Sequence, residues 1–266
     1  MTNIKNLTDW FNGRGKVLVA LSGGVDSALV AYAAYYSLGN SATAVTADYK
    51  TLSQEELESA KKICSEIGIR HIVIEYNELE NPDFIKNDKN RCFHCRTELA
   101  THLLDLLNRE KYDIIIDGTN VDDLSEYRPG IAALKNSGVL SPLVEVGFTK
   151  SEVRKTAKEV GLSVYDRPSN SCLASRIPWG TIVTSEKLVR IEKSEMMVKQ
   201  LFGVKQVRVR DFGNNAKIEV EKNELSRIKE DAKITILKKF MSDLGFETII
   251  IDPEGYKPGK LNVITD

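Results

Sequence analysis

The stretch "KVLVALSGGVDSALVAYAAYYSLG", residues 16–39, decides the fold. It opens with a short apolar run from Val17 to Leu21, passes through a pair of glycines, and continues as an alanine-rich segment that ends at Gly39. A bounded apolar run of this kind is typical of a parallel strand that is buried on both faces. A glycine at the end of the following segment is a common helix stop. The stretch therefore predicts a buried strand, a glycine loop and a helix.

The same alternation continues through the first part of the chain. Strands are predicted at residues 41–50, 69–76 and 112–120, and helices at 53–68 and about 97–110. Strands that alternate with helices of this length predict right-handed βαβ units in a parallel sheet. The expected fold class is therefore α/β.

The pattern changes after about residue 176. A helix at 185–203, two strands around a Gly-Asn-Asn turn within 205–222, a helix at 234–245 and a strand at 247–253 predict a compact α+β tail. We place a domain boundary near Ser175, which gives a first domain at 1–175 and a smaller second domain at 176–266.

Composition limits the function classes. The 266 residues carry 37 Lys and Arg against 38 Asp and Glu, so the net charge of -1 gives no global attraction to nucleic acid. No apolar stretch is long enough to span a bilayer, and the start lacks the order of a secretory signal. Four cysteines without such a signal indicate reduced thiols. We expect a cytoplasmic protein with neither a membrane nor a nucleic acid as partner.

The glycine loop "SGGVDS", Ser22 to Ser27, has the features of a phosphate site. Gly23 and Gly24 allow backbone amides to approach an anion closely, and the following helix N-terminus favours negative charge. The hydroxyls of Ser22 and Ser27 can add donors. The loop lacks the lysine of the Walker-type loop, which argues against a kinase or motor-type NTPase. The alternative is a simple strand–helix turn.

The loop resembles the pyrophosphate loop of the ATP pyrophosphatase (PP-loop) superfamily, whose domains have the adenine nucleotide α-hydrolase-like fold. Its members include NAD synthetase, GMP synthetase and tRNA thiolation enzymes, and they split ATP between the α and β phosphates. The resemblance implies that a substrate is adenylated and that pyrophosphate leaves. It also implies that Asp26 takes part in catalysis and helps to hold Mg²⁺, a cation that prefers oxygen ligands.

Further residues are expected at the carboxyl edge of the sheet, where such folds bind nucleotides. Asp48 follows the second predicted strand, and the segment "DGTNVDD", residues 117–123, follows a later one. We expect Asp48, Gly118, Thr119 and Asn120 to line the ATP pocket. Asp122 and Asp123 are weaker candidates for Mg²⁺, and a solvated loop is the alternative for this acidic pair.

Three of the four cysteines form a candidate ligand set. Cys64 falls at helical spacing among apolar residues and is predicted to be a core residue. Cys92 and Cys95 form a C-x-x-C pair in a loop-like stretch ahead of the helix that begins around Thr97, and flanking arginines favour thiolate. A structural zinc would usually take four protein ligands, and a redox dithiol would normally follow the first strand of a thioredoxin-like pattern.

Cys172, in "SNSCLASRIP", adds a third thiol. Three thiolates on a 4Fe–4S cluster leave one iron open, because full protein ligation takes four. An open iron can carry a sulfide or hydrosulfide. In an enzyme that activates a carboxylate with ATP, this chemistry suggests sulfur insertion.

Four segments are similar to the LarE family, which makes the sulfur groups of the nickel-pincer nucleotide used by lactate racemase. They are "SCLASRIPWGT", "GTNVDDLSEYRPG", "SPLVEVGFTKSEVRKTAKEVGL" and "DPEGYKPGKLN". The resemblance implies an ATP-dependent sulfurtransferase acting on pyridinium-3,5-biscarboxylic acid mononucleotide, in which sulfur displaces AMP to give a thiocarboxylate. It also implies a sulfide or other sulfur donor, partners in nickel insertion, and a homo-oligomer.

The family has two branches. In one, a lone cysteine at the place of Cys172 gives up its sulfur and becomes dehydroalanine. In the other, three cysteines hold a 4Fe–4S cluster, and the sulfur comes from outside the protein. The presence of Cys92 and Cys95 matches the cluster branch, and sacrifice of Cys172 stays as the alternative.

The second domain carries a candidate substrate site. Arg208 and Arg210 are two residues apart and so share one face of a strand, with Glu219 on the strand across the turn. One interpretation is a ladder of ion pairs on a solvent face, each contributing about 0.2–1 kcal/mol. The other is a phosphate clamp, because each arginine presents a planar fork. The resemblance implies a mononucleotide near Cys172 and favours the clamp, with Arg176 as a third member and Glu219 positioning the arginines.

Three other functions compete with this interpretation. A tRNA thiolation enzyme shares the loop and a similar cysteine arrangement, but RNA would require a basic surface or an added module, of which the net charge gives no sign. An NAD synthetase-like amide-forming enzyme needs no cysteines. An ATP-binding regulatory module with a structural metal would release neither AMP nor pyrophosphate.

Overall fold

The computed structural model describes residues 4–125 and 129–257. It divides into two compact units: the first comprises the described parts of Met1–Glu78 and Asn90–Asn170, and the second those of Leu79–Lys89 and Ser171–Asp266. No sequence signal marked the short excursion at Leu79–Lys89. The expected boundary between 1–175 and 176–266 stays a prediction. The "EYR" of the second LarE-like segment and the end of the fourth lie outside the described residues.

Strands and helices alternate along much of the chain. The strands are β1 Val17–Ala20, β2 Ala42–Asp48, β3 Arg70–Glu75, β4 Ile114–Ile116, β5 Val207–Phe212, β6 Asn215–Val220 and β7 Thr248–Ile251. The helices are α1 Ile4–Asp9, α2 Val25–Leu38, α3 Gln54–Ile67, α4 Pro82–Ile85, α5 Arg91–Glu110, α6 Pro129–Asn136, α7 Pro142–Glu145, α8 Lys150–Glu159, α9 Ser185–Phe202 and α10 Asp231–Asp243.

The first unit is built on a four-stranded parallel sheet in the order β3-β2-β1-β4. β1 pairs in parallel with β2 and with β4, and β2 pairs in parallel with β3. The predicted α/β fold with a parallel sheet is therefore confirmed. Because all four strands run the same way, their carboxyl ends lie at one edge of the sheet, which is where ligands bind in such folds.

The packing of β1 and α2 explains the composition of the opening stretch. Val17 and Val19 are fully buried in the main core, together with the alanines of α2 and with Val153 and Ala157 of α8. Small side chains allow α2 to approach the sheet closely, so the strand is covered as the apolar run predicted. The start of α8 is fixed by a capping box, in which Thr149 and Glu152 bond to each other's backbone amides.

The second unit contains a three-stranded sheet in the order β5-β6-β7. β5 and β6 are antiparallel, and Phe212 pairs with Asn215 across the turn that Gly213 and Asn214 form. Gly213 has φ of +77°, a conformation that suits glycine in a tight hairpin turn. The predicted pair of strands is thus confirmed. β7 joins β6 in parallel, and α9 and α10 supply residues to a separate core. Across the described parts of the chain, no helix combines the length and hydropathy that a membrane span requires.

Candidate functional site

The glycine loop lies between the end of β1 and the start of α2. Ser27 closes the loop: its Oγ accepts from the amide of Ser22 at 3.2 Å, lies 3.2 Å from the Ser22 Oγ, and donates to the carbonyl of Gly24 at 3.2 Å. Gly24 is the N-cap residue of α2, and no side-chain cap bond covers this helix start within the described structure. The loop therefore places a helix N-terminus and two hydroxyls together, as an anion site requires.

Two positions at this edge must be glycine, because the backbone of another segment lies too close to leave room for a side chain. Gly23 has φ of +83°, and a Cβ added there would lie 2.4 Å from the carbonyl oxygen of Glu56. A Cβ on Gly118 would lie 2.5 Å from the amide nitrogen of Ser27. The segment after β4 therefore packs directly on the start of α2, which brings Gly118 to the glycine loop.

Asp26, in the first turn of α2, is the centre of a polar group. Its Oδ1 accepts from the Nδ2 of Asn120 at 3.2 Å, and its Oδ2 forms an ion pair with the Nζ of Lys150. Asp122 accepts from the backbone amide of Lys150 at 2.7 Å, and Asp123 accepts from that of Asn120 at 3.1 Å. The two acids predicted as weaker magnesium ligands thus make backbone contacts that fix the residues around Asp26.

Lys150 was not among the predicted site residues. It is the first residue of α8, where a cation is disfavoured by the positive end of the helix dipole. A lysine directly after a capping threonine does not stabilise the helix, so its position in the sequence indicates another role. Its contact with Asp26 places a positive charge beside the glycine loop.

The other predicted nucleotide residues lie at the same edge of the sheet. Thr119 donates through its amide and its hydroxyl to the carboxylate of Asp117, at 3.1 and 2.7 Å, and Ser141 donates to the same carboxylate at 2.7 Å. The Thr119 hydroxyl is thus turned toward Asp117. Asp48 ends β2, and its carboxylate accepts from the amide of Lys50 at 3.4 Å. The roles of Asp48 and Thr119 in nucleotide binding stay predictions.

The C-x-x-C pair lies on a helix and not in a loop. α5 begins at Arg91, because the amides of Phe93 and His94 both bond to the carbonyl of Asn90 and start the helix there. The expectation of a helix start around Thr97 was wrong. Cys92 and Cys95 are therefore neighbours at i and i+3 near the start of the helix, on one side of it. Cys92 is exposed and Cys95 is buried.

The surroundings of these two thiols differ. The Nη2 of Arg91 lies 3.8 Å from the Sγ of Cys92. Cys95 is hydrogen-bonded to Glu78, a fully buried carboxyl that also accepts from Thr51 at 2.6 Å. Burial raises the pKa of Glu78. Cys92 therefore lies beside a cation at the N-terminus of α5, whereas Cys95 shares a buried position with an acid.

The other two cysteines lie in different surroundings. Cys64 is buried in the main core, and burial raises the pKa of its thiol to about 12, so its prediction as a core residue is confirmed. Cys172 is half-buried and belongs to the second unit, whereas Cys92 and Cys95 belong to the first. Within the described residues of either unit, no three His, Cys, Asp or Glu side chains form a ready-made metal site. The cluster and magnesium ligand sets stay predictions.

Cys172 begins a tight turn that an arginine holds. The turn covers Leu173–Arg176, and the amide of Ser175 donates to the carbonyl of Cys172 at 3.0 Å. Arg176 folds back: its Nη1 donates to the carbonyls of Cys172 and Ser171 at 3.0 and 2.6 Å. Its side chain is fully buried. The backbone that carries Cys172 is thus fixed by the guanidinium four residues later.

Arg176 lies in a group of buried charged side chains in the second unit. Its guanidinium makes a two-pronged ion pair with Glu195 at 2.8 and 3.1 Å. Arg210 pairs with Glu219 at 2.8 Å and donates to the carbonyl of Ser175 at 3.0 Å. Arg208, on the same strand as Arg210, is the remaining member. We call this set the arginine cluster; its members are Arg176, Glu195, Arg208, Arg210 and Glu219.

The arginine cluster is not a solvent-facing ladder. Arg208, Arg210 and Glu219 are 4%, 5% and 2% exposed, so the interpretation as surface ion pairs was wrong. Glu219 stands directly opposite Arg208 in the strand register, yet it pairs with Arg210 on the diagonal. Arg210 is buried because residue 175 covers it, and its guanidinium donates to the Ser175 carbonyl. Each buried charge in the cluster therefore needs a partner within the protein.

Charge in the cluster is unbalanced, with three guanidinium groups and two carboxylates. Burial, with Arg176 nearby, lowers the pKa of Arg208 to about 10. The Arg208 guanidinium lies 5.2 Å from the centre of the Tyr256 ring and donates to the carbonyl of Val207 at 2.7 Å. Such a cluster can bind an anion with planar, charge-assisted hydrogen bonds.

Glu195 was missed by sequence reasoning, although a signal was present. It lies on α9 between the buried Ile191 and Val198, at the spacing of an apolar helix stripe. An acid inside such a stripe indicates a buried charge with a partner. Tyr256 gave no comparable signal, because a single tyrosine in a turn has no periodic context.

The chain is similar in sequence to one protein family and to several individual proteins. A family profile described as queuosine biosynthesis protein QueC matches residues 16–87. The chain is 41% identical to the uncharacterized protein slr1717 of Synechocystis sp., over 98% of this chain and 97% of that protein. It is 30% identical to the uncharacterized protein MJ0830 of Methanocaldococcus jannaschii, over 95% and 94%. It is 29% identical to the pyridinium-3,5-bisthiocarboxylic acid mononucleotide synthase of Lactiplantibacillus plantarum, over 93% and 89%.

Proposed function

Because the chain belongs to the PP-loop ATP pyrophosphatase family, we propose that it is an ATP-dependent sulfurtransferase that converts a carboxylate of pyridinium-3,5-biscarboxylic acid mononucleotide to a thiocarboxylate. The observation that carries the proposal is the arginine cluster, which is buried, cationic and bonded to the backbone of Cys172. The similarity to the Lactiplantibacillus plantarum synthase over nearly the whole chain supports the choice of substrate.

The first step is adenylation of the substrate at the glycine loop. A substrate carboxylate oxygen attacks the α phosphorus of ATP, and pyrophosphate leaves. The loop amides and the hydroxyls of Ser22 and Ser27 would hold the phosphates, and Lys150 would exchange its ion pair with Asp26 for the departing pyrophosphate. Asp26 would then be free to bind Mg²⁺, whose oxygen preference its carboxylate meets.

The substrate phosphate would bind in the arginine cluster. Two carboxylates face three guanidinium groups there, so a phosphate dianion would meet positive charge in excess. Its oxygens can accept several charge-assisted hydrogen bonds at once, and the desolvated setting strengthens each of them. Glu195 and Glu219 would fix the orientation of the guanidinium planes.

The second step is attack by sulfur on the acyl carbon of the adenylate. The carbon–sulfur bond forms, AMP leaves with the oxygen that joined it to the acyl group, and the product is the thiocarboxylate. We propose that Cys92, Cys95 and Cys172 are the ligands of a 4Fe–4S cluster. The donor chemistry fits, because three thiols are available and the first two lie at a helix N-terminus beside Arg91. When bound, such a cluster would supply an open iron for a sulfide.

An assay with the purified protein tests the function. We expect pyrophosphate to form when ATP, Mg²⁺ and the pyridinium mononucleotide are present. AMP and the thiocarboxylate should form only when a sulfur source is present as well. Mass spectrometry of the product would show one oxygen replaced by one sulfur. Release of AMP with unmodified tRNA, and none with the pyridinium nucleotide, would contradict the proposal and favour tRNA thiolation.

The sulfur source requires a second measurement. Protein prepared without oxygen should contain iron and sulfide, and Cys92→Ser should lose both, whereas Cys64→Ala should keep both because Cys64 lies in the core. The mass of the Cys172 peptide is then compared before and after turnover. Conversion to dehydroalanine in iron-free protein would contradict the cluster and identify Cys172 as the donor.

A further inference from the structure

Two side chains from outside the glycine loop hold the peptide between Gly23 and Gly24. The carbonyl oxygen of Gly23 accepts from the Oγ of Ser59 at 2.9 Å and from the Nη1 of Arg167 at 2.9 Å. Ser59 lies on α3, and Arg167 lies in the segment that follows α8. Neither residue belongs to the loop motif, and both act on the same atom.

These two bonds determine where the loop presents its next donor. No cis peptide bond occurs in the described chain, so the N–H of Gly24 points opposite to the carbonyl of Gly23. The carbonyl faces α3, where Gly23 also packs against the backbone of Glu56. The Gly24 amide at the N-terminus of α2 is therefore directed away from α3 and toward the side where an anion would bind.

Arg167 is itself fixed by an acid. Its guanidinium bonds to both carboxylate oxygens of Glu56, at 2.6 and 3.0 Å, and also reaches the carbonyl of Glu55 at 3.4 Å. Both partners are largely buried, with 18% and 7% of their side chains exposed. A two-pronged pair of this kind leaves the guanidinium little freedom to rotate. Its direction toward Gly23 is thus set before any ligand binds.

The same acid also anchors the chain that leads to Cys172. The Nδ2 of Asn170 donates to Glu56 at 3.1 Å, and Arg154 of α8 holds the backbone at Arg167 by a bond of 2.8 Å to its carbonyl. Cys172 follows Asn170 by two residues along the chain. Glu56 therefore links the loop peptide to the segment from Arg167 to Asn170 through one carboxylate.

We propose that Arg167 is a positioning residue for pyrophosphate: together with Ser59 it orients the Gly23–Gly24 peptide so that the Gly24 amide donates to the bound phosphate. A cation that donates to the carbonyl also polarises the peptide and strengthens the amide as a donor. The inference rests on the phosphate-binding part of the proposed function and does not depend on the sulfur step.

The test measures binding of inorganic pyrophosphate and of Mg-ATP by calorimetry, and it adds the melting temperature of each variant. Arg167→Gln should weaken pyrophosphate binding roughly tenfold, the loss expected for one charge-assisted hydrogen bond. Arg167→Lys should recover part of the affinity because it keeps a cationic donor. Arg14→Gln is the matched control: Arg14 also donates to a backbone carbonyl, that of Trp10, but not to the loop.

A double-variant cycle separates this role from a general effect on stability. Ser59→Ala should also weaken pyrophosphate binding, and the double variant with Arg167→Gln should lose less than the product of the two single losses, because both residues act on one carbonyl. If Arg167→Gln does not fold, Ser59→Ala and Arg167→Lys still decide the outcome.

Unchanged affinity for pyrophosphate in Arg167→Gln and Ser59→Ala would overturn this inference alone. A loss of pyrophosphate affinity in the double variant equal to the product of the two single losses would overturn it as well. Wild-type protein that binds neither pyrophosphate nor ATP would overturn the proposed function together with this inference.

Discussion

The ion pair between Arg176 and Glu195 gives the sharpest stability prediction. Glu195 accepts two bonds from Arg176 and a third from the amide of Val209 at 3.0 Å. Glu195→Gln keeps the shape of the side chain but removes its charge, which leaves a fully buried guanidinium without its acid. Removal of one partner from a buried pair typically costs about 3–5 kcal/mol. We therefore expect the free energy of unfolding to fall by roughly that amount.

Urea denaturation followed by circular dichroism measures this difference, provided that the slope against denaturant is unchanged. Glu186→Gln on the same helix is the control, because Glu186 is exposed at the start of α9, where its carboxylate bonds to its own backbone and to the side chain of Thr184 and not to a buried cation. A loss below about 1 kcal/mol for Glu195→Gln would refute the reasoning, since Arg176 would then have enough other partners to stay charged in the core.

Three further predictions concern the first unit. Lys150→Gln should leave the melting temperature nearly unchanged but lower kcat/KM for ATP by at least about tenfold, because it removes a charge from the departing pyrophosphate; equal kcat/KM would contradict that role. Gly118→Ala should weaken ATP binding and destabilise the unit, because the added Cβ would clash with Ser27; a melting temperature equal to wild type would count against the packing. Burial lowers the pKa of His71, so the unfolded chain binds its proton more readily and stability should fall as the pH drops below about 6.5. His71→Gln should flatten that part of the curve of unfolding free energy against pH, and an unaltered slope would contradict the assignment.

Local patterns predicted the parts of the molecule that depend on local sequence. The run from Val17 to Leu21 predicted β1 because a strand buried on both faces needs continuous apolar residues. The Gly-Asn-Asn turn predicted the β5–β6 hairpin. In each case a few neighbouring residues determine the conformation, so the sequence carries the whole signal.

Features that depend on distant neighbours were missed or misjudged. The helix start at Arg91 was placed too late, because Asn90 is a weak signal without a side-chain cap bond and the cysteines suggested a loop. The arginines of β5 alternate with valines, a pattern that also fits a solvent face, and only the coverage by residue 175 shows that they are buried. Arg167 gave no signal, because its partners Gly23 and Glu56 lie far earlier in the chain, at separations of 144 and 111 residues.

The energetics of the arginine cluster argue for binding rather than for stability. Three guanidinium groups and two carboxylates have been removed from water, and well-packed apolar residues of similar volume would usually be as stable or more stable. The excess positive charge adds to the cost, as the lowered pKa of Arg208 indicates. A bound phosphate would reverse the imbalance, so its binding should stabilise the second unit more than a neutral nucleoside does. The net charge of -1 for the whole chain does not reveal this local excess of positive charge. Phosphate binding depends on the charges in the arginine cluster and not on the net charge of the chain.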